Sequence, residues 1–192
     1  MENHSNGDDA EVEPILVRVR QGDKEAYARI IERFQRPIFL YGYYMLRSRQ
    51  EAEDAAQETF LKAYRSIGQF TPTHSFSAWL YKIAKNVCLD ELRKRKKRLD
   101  LFAFYRDRQH EQQHPSYGDL IHDVLDKLTE AEKQILLLRS LEEYSYDEIA
   151  FILDSKPAAI RKKYERIRKK LIKEKKQGVN IYEHTYPADR KA

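Results

Sequence analysis

Residues 145–176 read SYDEIAFILDSKPAAIRKKYERIRKKLIKEKK. Ser145 and Glu148 have the spacing of a capping box, in which the hydroxyl serves a first-turn amide and the glutamate answers the cap amide. A helix is therefore expected from about 146 to 153. Asp154-Ser155-Lys156 interrupts it. Pro157 then suits the first position of a second helix, over about 157–176, because its ring presets a helical φ and its missing N–H is not needed there. A short helix, a tight turn and a longer helix make a helix-turn-helix. At 100° per residue, Ile160, Tyr164, Ile167 and Leu171 share one side of the second helix. Ala158, Lys162, Glu165, Arg166 and Lys169 lie opposite, with Arg161 flanking. Eleven bases and two acids fall between 155 and 176. A helix with one dry stripe and one basic side fits the major groove of duplex DNA, with Ala158, Arg161, Lys162 and Glu165 towards base edges and Arg166, Lys169 and Lys173 towards phosphates. A solvated amphipathic helix has the same wheel; the preceding turn and the density of bases favour the groove.

Working outward, Thr129-x-x-Glu132 and Ser48-x-x-Glu51 repeat the capping-box spacing. Segments of about 119–128 and 130–141 complete a C-terminal helical group. Upstream, Gly22-Asp23 separates a short helix (about 11–21) from a longer one (about 24–46), in which Pro37 should produce a kink or an end. A helix over about 49–67 carries the stripe Ala56, Phe60, Ala63 and Ile67, and Gly68 is placed to stop it as a left-handed cap. A fourth, over about 76–98, has Leu80, Ile83, Ala84 and Val87 as its core stripe, with Trp79 at the edge. The expected fold is all-α: two small helical domains, 11–98 and 119–176, joined by a flexible linker over 99–118. Residues 99–118 have mixed charge and poor periodicity, although Phe102, Phe104 and Tyr105 suggest docking. Residues 1–10 read as an acidic disordered N-terminus and 177–192 as a tail.

The 192-residue chain has 36 Lys+Arg against 31 Asp+Glu, a formal net charge of +5. Six Gly and six Pro argue against a loop-rich or many-stranded protein. One cysteine, Cys88, excludes an internal disulfide framework. The wheel turns it away from the core stripe, and no histidine partners it in sequence. The acidic opening (Glu2, Asp8, Asp9, Glu11, Glu13) is the reverse of a signal peptide, and no apolar run approaches the roughly 20 residues of a membrane span, so a cytoplasmic protein with no membrane insertion of its own is expected. There is no Gly-rich phosphate loop, no HExxH and no nucleophile elbow. His110 and His114 have i,i+4 spacing but no third ligand nearby. No catalytic residue, metal or cofactor is expected, and the protein is read as not an enzyme.

Charge is unevenly placed. Glu51, Asp54 and Glu58 face away from the stripe of the 49–67 helix, which disfavours nucleic acid and suits either a basic protein partner or solvent. Residues 93–98 are six consecutive bases. Lys82, Asn86 and Arg93 share one sector of the 76–98 helix, an amide between two cations, which suits reading a base as well as a backbone; an Asp90–Arg93 pair is equally compatible. The adjoining loop places Phe70 and Phe76 around small hydroxyl residues, a setting for an unstacked base or simply for core aromatics.

The string EAEDAAQETFLKAY (51–64), then FSAWLYKIAKN (76–86), then Asp90 and Arg93, closely resembles the σ2 domain of bacterial extracytoplasmic-function (ECF) sigma factors. The stretch from Leu128-Thr129 through Tyr146-Asp147-Glu148-Ile149-Ala150 to Ile160-Arg161 and Arg168-Lys169-Lys170-Leu171 resembles their σ4 domain. The resemblance implies a protein that binds bacterial core RNA polymerase, recognises a promoter −35 element as duplex, and melts and captures the −10 element. It implies that Glu51, Asp54, Gln57 and Glu58 meet the clamp helices of the β′ subunit. It implies that Phe70, Thr71, Ser75, Phe76, Lys82, Asn86 and Arg93 meet the −10 strand, and that Ala158, Arg161, Lys162, Glu165, Arg166 and Lys169 meet the −35 duplex. It further implies an inhibitory anti-sigma partner. The alternative is a stand-alone helix-turn-helix regulator, which would have no use for the acidic face or the 76–98 helix.

Overall fold

The computed structural model describes the backbone of residues 4–103 and 124–183, and side chains over 11–99 and 124–173. Phe102, Phe104, Tyr105, His110, His114, the first ten side chains and the tail lie outside the described side chains. The helices are α1 (His4–Arg20), α2 (Lys24–Leu46), α3 (Arg49–Ser66), α4 (Phe76–Ala103), α5 (Glu130–Ser140), α6 (Tyr146–Ile152) and α7 (Pro157–Glu183), with a 3-10 turn at Ile67–Gln69 after α3. The all-α class expected from the sequence is what the structure has, with no strand among the described residues.

The starts follow from local chemistry. Asp23 caps α2 by accepting from the Ala26 amide at 3.0 Å. That bond and the Arg18 guanidinium at 2.6 Å hold its carboxyl below the usual range. Thr129 and Ser145 make complete capping boxes with Glu132 and Glu148. Ser48 makes half of one: its hydroxyl accepts from the Glu51 amide, while the Glu51 carboxylate turns towards Arg95 and Arg98 of α4.

Four features differ from expectation. α1 begins at His4, well before residue 11, and runs through Pro14. α2 continues unbroken through Pro37. Gly68 is not a left-handed cap: α3 tightens into the 3-10 turn, where the Phe70 amide donates to the Ile67 carbonyl at 3.2 Å. The left-handed caps of this half are Gly22, at φ 93°, after α1, and Arg47, at φ 60°, after α2. α4 also extends to Ala103, five residues into the stretch read as linker.

Leu16, Ile30, Phe34, Ile38, Tyr41, Leu46, Ala63, Phe76, Leu80 and Tyr81 form the core of the N-terminal group, and Ile135, Leu138, Ile149, Ile152, Ile160 and Ile167 that of the C-terminal group. The two cores are continuous. Tyr41 meets Tyr81 edge-on at 5.4 Å, and Tyr81 meets Tyr144 at 5.3 Å, so an aromatic ladder crosses from α2 through α4 to the segment before α6. Arg47 also pairs with Asp126 across the two groups. The helices thus fall into the two expected groups, but α6 lies directly on α4.

That packing explains Cys88. With neighbours on more than one side of α4, its buried face is wider than one stripe, and Cys88 is 1% exposed. Burial pushes its thiol up to about 12. Since the thiolate is the nucleophile, Cys88 should resist alkylation at pH 8 in the native protein and react at once in denaturant; rapid native labelling would contradict this packing.

Candidate nucleic-acid and polymerase interfaces

The helix-turn-helix is built as the sequence indicates. Ile160 and Ile167 bury against α5 and α6, with Tyr164 and Leu171 half-buried beside them. Ala158, Arg161, Lys162, Glu165, Arg166 and Lys169 are all exposed on the other side of α7. Arg161 lies over the Tyr146 ring at 5.2 Å and Arg139 over the same ring at 5.0 Å, which fixes the N-terminal end of the basic face to α6. Glu165 pairs with Arg168 at 3.4 Å.

The turn differs from a glycine turn in an instructive way. The Ser155 amide donates to the Ala150 carbonyl at 2.9 Å, and the Asp154 amide reaches the Phe151 carbonyl at 3.5 Å. This is the Schellman pattern, whose left-handed residue is usually glycine. Here it is Asp154, at φ 51°. A side chain in that region costs about 1 kcal/mol, though Asp tolerates it better than most residues. The Asp154 carboxylate reaches across to α4, where Lys82 donates to one oxygen at 2.5 Å and Lys85 to the other at 2.9 Å. Burial alone would raise this carboxyl; the two lysine hydrogen bonds outweigh it and hold it below the usual range.

Six of the seven residues expected at a −10 strand fall into three pairs. Phe70 and Phe76 are buried in an aromatic cluster with Phe34 and Trp79, the two rings meeting edge-on at 5.5 Å. Arg20 of α1 holds this loop by donating to the Phe70 carbonyl at 2.9 Å. Thr71 and Asn86 are exposed. Ser75 and Lys82 are brought together beneath α6. The Ser75 hydroxyl donates to Glu148 at 3.2 Å while accepting from the Ala78 amide at the start of α4. His74 stacks on the Phe151 ring with centroids 4.0 Å apart, and the Lys82 ammonium lies 4.5 Å from that ring. Arg93 stands apart from these: it pairs with Asp90 at 2.9 Å and lines the groove between α3 and α4 with Asp54 and Glu58. Sequence reasoning passed over Lys85 and His74. Lys85, three residues beyond Lys82, neighbours it on the helix surface, and that spacing is its signal.

On α3, Asp54 and Gln57 are exposed, and Glu58 pairs with Lys62 at 3.4 Å. Glu51 is tied to Arg95 at 3.4 Å, which also donates to the Leu46 carbonyl. Gln57 borders an apolar groove walled by Tyr27, Ile31, Phe60, Leu61 and Tyr64. Leu61 is 51% exposed there, an apolar surface the charge pattern alone did not reveal. Among the described residues no cluster could hold a metal ion and no helix is long and apolar enough to cross a membrane.

Residues 30–98 match the family model described as Sigma-70 region 2, and residues 118–171 match Sigma-70, region 4. The chain is 32% identical over 171 residues to the ECF RNA polymerase sigma-E factor of Haemophilus influenzae, covering 80% of this chain and 89% of that protein. It is 29% identical over 175 residues to the RNA polymerase sigma-H factor of Pseudomonas aeruginosa, covering 83% and 91%. A shorter match, 42% identical over 81 residues, links it to the ECF sigma factor SigW of Bacillus subtilis and spans 43% of that relative. In fold it is similar to CnrH, solved in complex with the cytosolic domain of CnrY (TM-score 0.64, 22% identity, 82% of this chain and 92% of that one). It is equally similar to the sigma factor RpoE of Bartonella quintana, solved with the anti-sigma factor NepR (TM-score 0.64, 22% identity, 76% and 93%). Both regions occur in one chain, which separates it from a stand-alone helix-turn-helix regulator. The chain belongs to the ECF sigma factors of the sigma-70 family, the promoter-directing subunits of bacterial RNA polymerase.

Proposed function

We propose that the work of this sigma factor is divided among three faces of the molecule. Asp54, Gln57 and Glu58, with the apolar groove beside them, form the contact for the β′ clamp helices of core polymerase. Glu51 supports that face by anchoring α3 to α4. The exposed side of α7 reads the −35 duplex, with Ala158, Arg161, Lys162 and Glu165 towards base edges and Arg166 and Lys169 towards phosphates. The 70–76 loop and the Lys82–Asn86 sector of α4 receive the unpaired −10 strand, with Phe70 and Phe76 supporting the loop from beneath. Arg93 serves the groove shared with the acidic face. The observation that carries this reading is that one chain presents an acid-and-amide face bordered by apolar surface on α3 and a basic helix-turn-helix face on α7. The first suits a protein and the second a polyanion.

On this reading the protein is a non-enzymatic specificity subunit working in the cytoplasm, and its inhibitory partner is an anti-sigma factor. One fold neighbour was solved with the anti-sigma factor NepR, and another with the cytosolic domain of CnrY. The test of the −35 assignment is Lys162→Ala measured across a panel of duplexes. If Lys162 makes a directional contact, discrimination at one base pair should fall by about 1–3 kcal/mol. A uniform loss over all sequences would instead make it a phosphate contact and overturn its role as a reader.

A further inference from the structure

We propose that His74, Lys82 and Lys85 form a nucleotide seat for the promoter strand, and that in the closed molecule α6 fills it with a protein imitation of a nucleotide: the Phe151 ring in place of a base and the Asp154 carboxylate in place of a phosphate. This rests on the reading of the 70–86 face as the −10 face.

The geometry of the contact carries the inference. Lys82 and Lys85 each take a different oxygen of one carboxylate, at 2.5 and 2.9 Å. A phosphodiester presents the same two-oxygen acceptor to a pair of ammonium groups. The Phe151 ring stacks on His74, with an interplanar angle of 22° and centroids 4.0 Å apart, and receives the Lys82 cation on its face. A planar base on an aromatic platform beside a cation makes the same contacts. Ring and carboxylate come from positions 151 and 154, at the end of one short helix, as base and phosphate come from one nucleotide. Glu148 completes the cover by accepting from Ser75. The Lys85 side chain is 8% exposed, so α6 now covers a cation whose salt-bridge partner among the described residues is Asp154. Lifting α6 would open Lys85 beside Asn86. Asp154 is itself 59% exposed, so this clasp is screened by water and weak enough for a polyanion to displace.

The placement of Asp154 points the same way. It occupies the left-handed position of a Schellman turn, where glycine would serve the backbone better. Asparagine tolerates that position and keeps the shape without the charge, so Asp154→Asn separates the two roles.

The experiment is binding of fluorescein-labelled single-stranded DNA oligonucleotides to the full-length protein at several salt concentrations, with thermal unfolding monitored for each variant. Asp154→Asn should tighten binding about two- to fivefold, the range an exposed ion pair supports, by removing the competitor. In that background Lys85→Gln should reverse most of the gain and lower the salt slope by about 0.7, the signature of one lost phosphate contact on a single strand. Lys82→Gln, whose side chain is partly exposed already, should do the same and guards against a folding defect at buried Lys85. His74→Ala should weaken binding without changing the salt slope, as a lost stack does. Unchanged affinity in Asp154→Asn, or an unchanged salt slope in both lysine variants, would overturn the seat. Core-polymerase association is read separately. Its loss with the oligonucleotide effects intact would sink the sigma-factor reading and leave the seat standing, whereas the converse would sink only the seat.

Discussion

Replacing Asp54 and Glu58 together by lysine should lower the affinity for core RNA polymerase on the order of 100-fold while leaving duplex binding through α7 unchanged. Asp54 is exposed, and Glu58 is held by an i,i+4 pair with Lys62 at 3.4 Å. Such a pair contributes only about 0.3–0.5 kcal/mol, so Glu58 can be redirected to a partner at little cost. Removing one member of a desolvated interfacial charge pair costs about 2–5 kcal/mol. With tenfold in affinity for every 1.4 kcal/mol, a 100-fold loss corresponds to about 2.8 kcal/mol, inside that range. Both positions lie on the solvent side of α3, opposite Ala52, Ala56 and Ala63, so the fold should not notice the change. Titration of labelled protein with core polymerase at two salt concentrations measures the effect. Equal affinity of mutant and wild type would remove the acidic face from the polymerase interface.

Ile167→Ala should be the most damaging single change in the C-terminal group, costing about 2–5 kcal/mol of stability. Ile167 is fully buried and Ile160 nearly so, and these two residues fix α7 to α5 and α6. Beyond Leu171 the described side chains of α7, Ile172 and Lys173, are exposed, so packing towards its C-terminus cannot compensate. Urea unfolding should show the loss, and duplex affinity should fall with it. Polymerase association through α3 should fall far less, because the acidic face stands on the N-terminal core. A loss under 1 kcal/mol would mean that α7 is held by something other than its isoleucine stripe.

Much of this was legible in residue spacing because it is local. Capping boxes and the α7 wheel depend on residues three to seven apart, and Ser145, Thr129, Ile160 and Ile167 do what that spacing requires. Glu51 shows where locality ends: its spacing from Ser48 fits a box, yet two arginines of α4, more than 40 residues on, draw its carboxylate away. Pro37 shows that a residue able to end a helix need not do so, and Gly68 that a helix can end at a glycine without a left-handed turn. A wheel with one packed face leaves Cys88 off the stripe, and α4 has more than one. The contact between the two groups was not legible at all. Asp154 meets Lys82 and Lys85 across about 70 residues of chain, and no periodicity joins such positions.

The central claim is that this chain attaches to core RNA polymerase through α3 and carries it to a start site. Size-exclusion chromatography of the purified protein mixed with bacterial core enzyme at low salt tests it most directly. The wild type should give a stoichiometric co-eluting complex, and the Asp54→Lys, Glu58→Lys double variant should lose it. A wild-type protein that elutes apart from core enzyme at every salt concentration would contradict it.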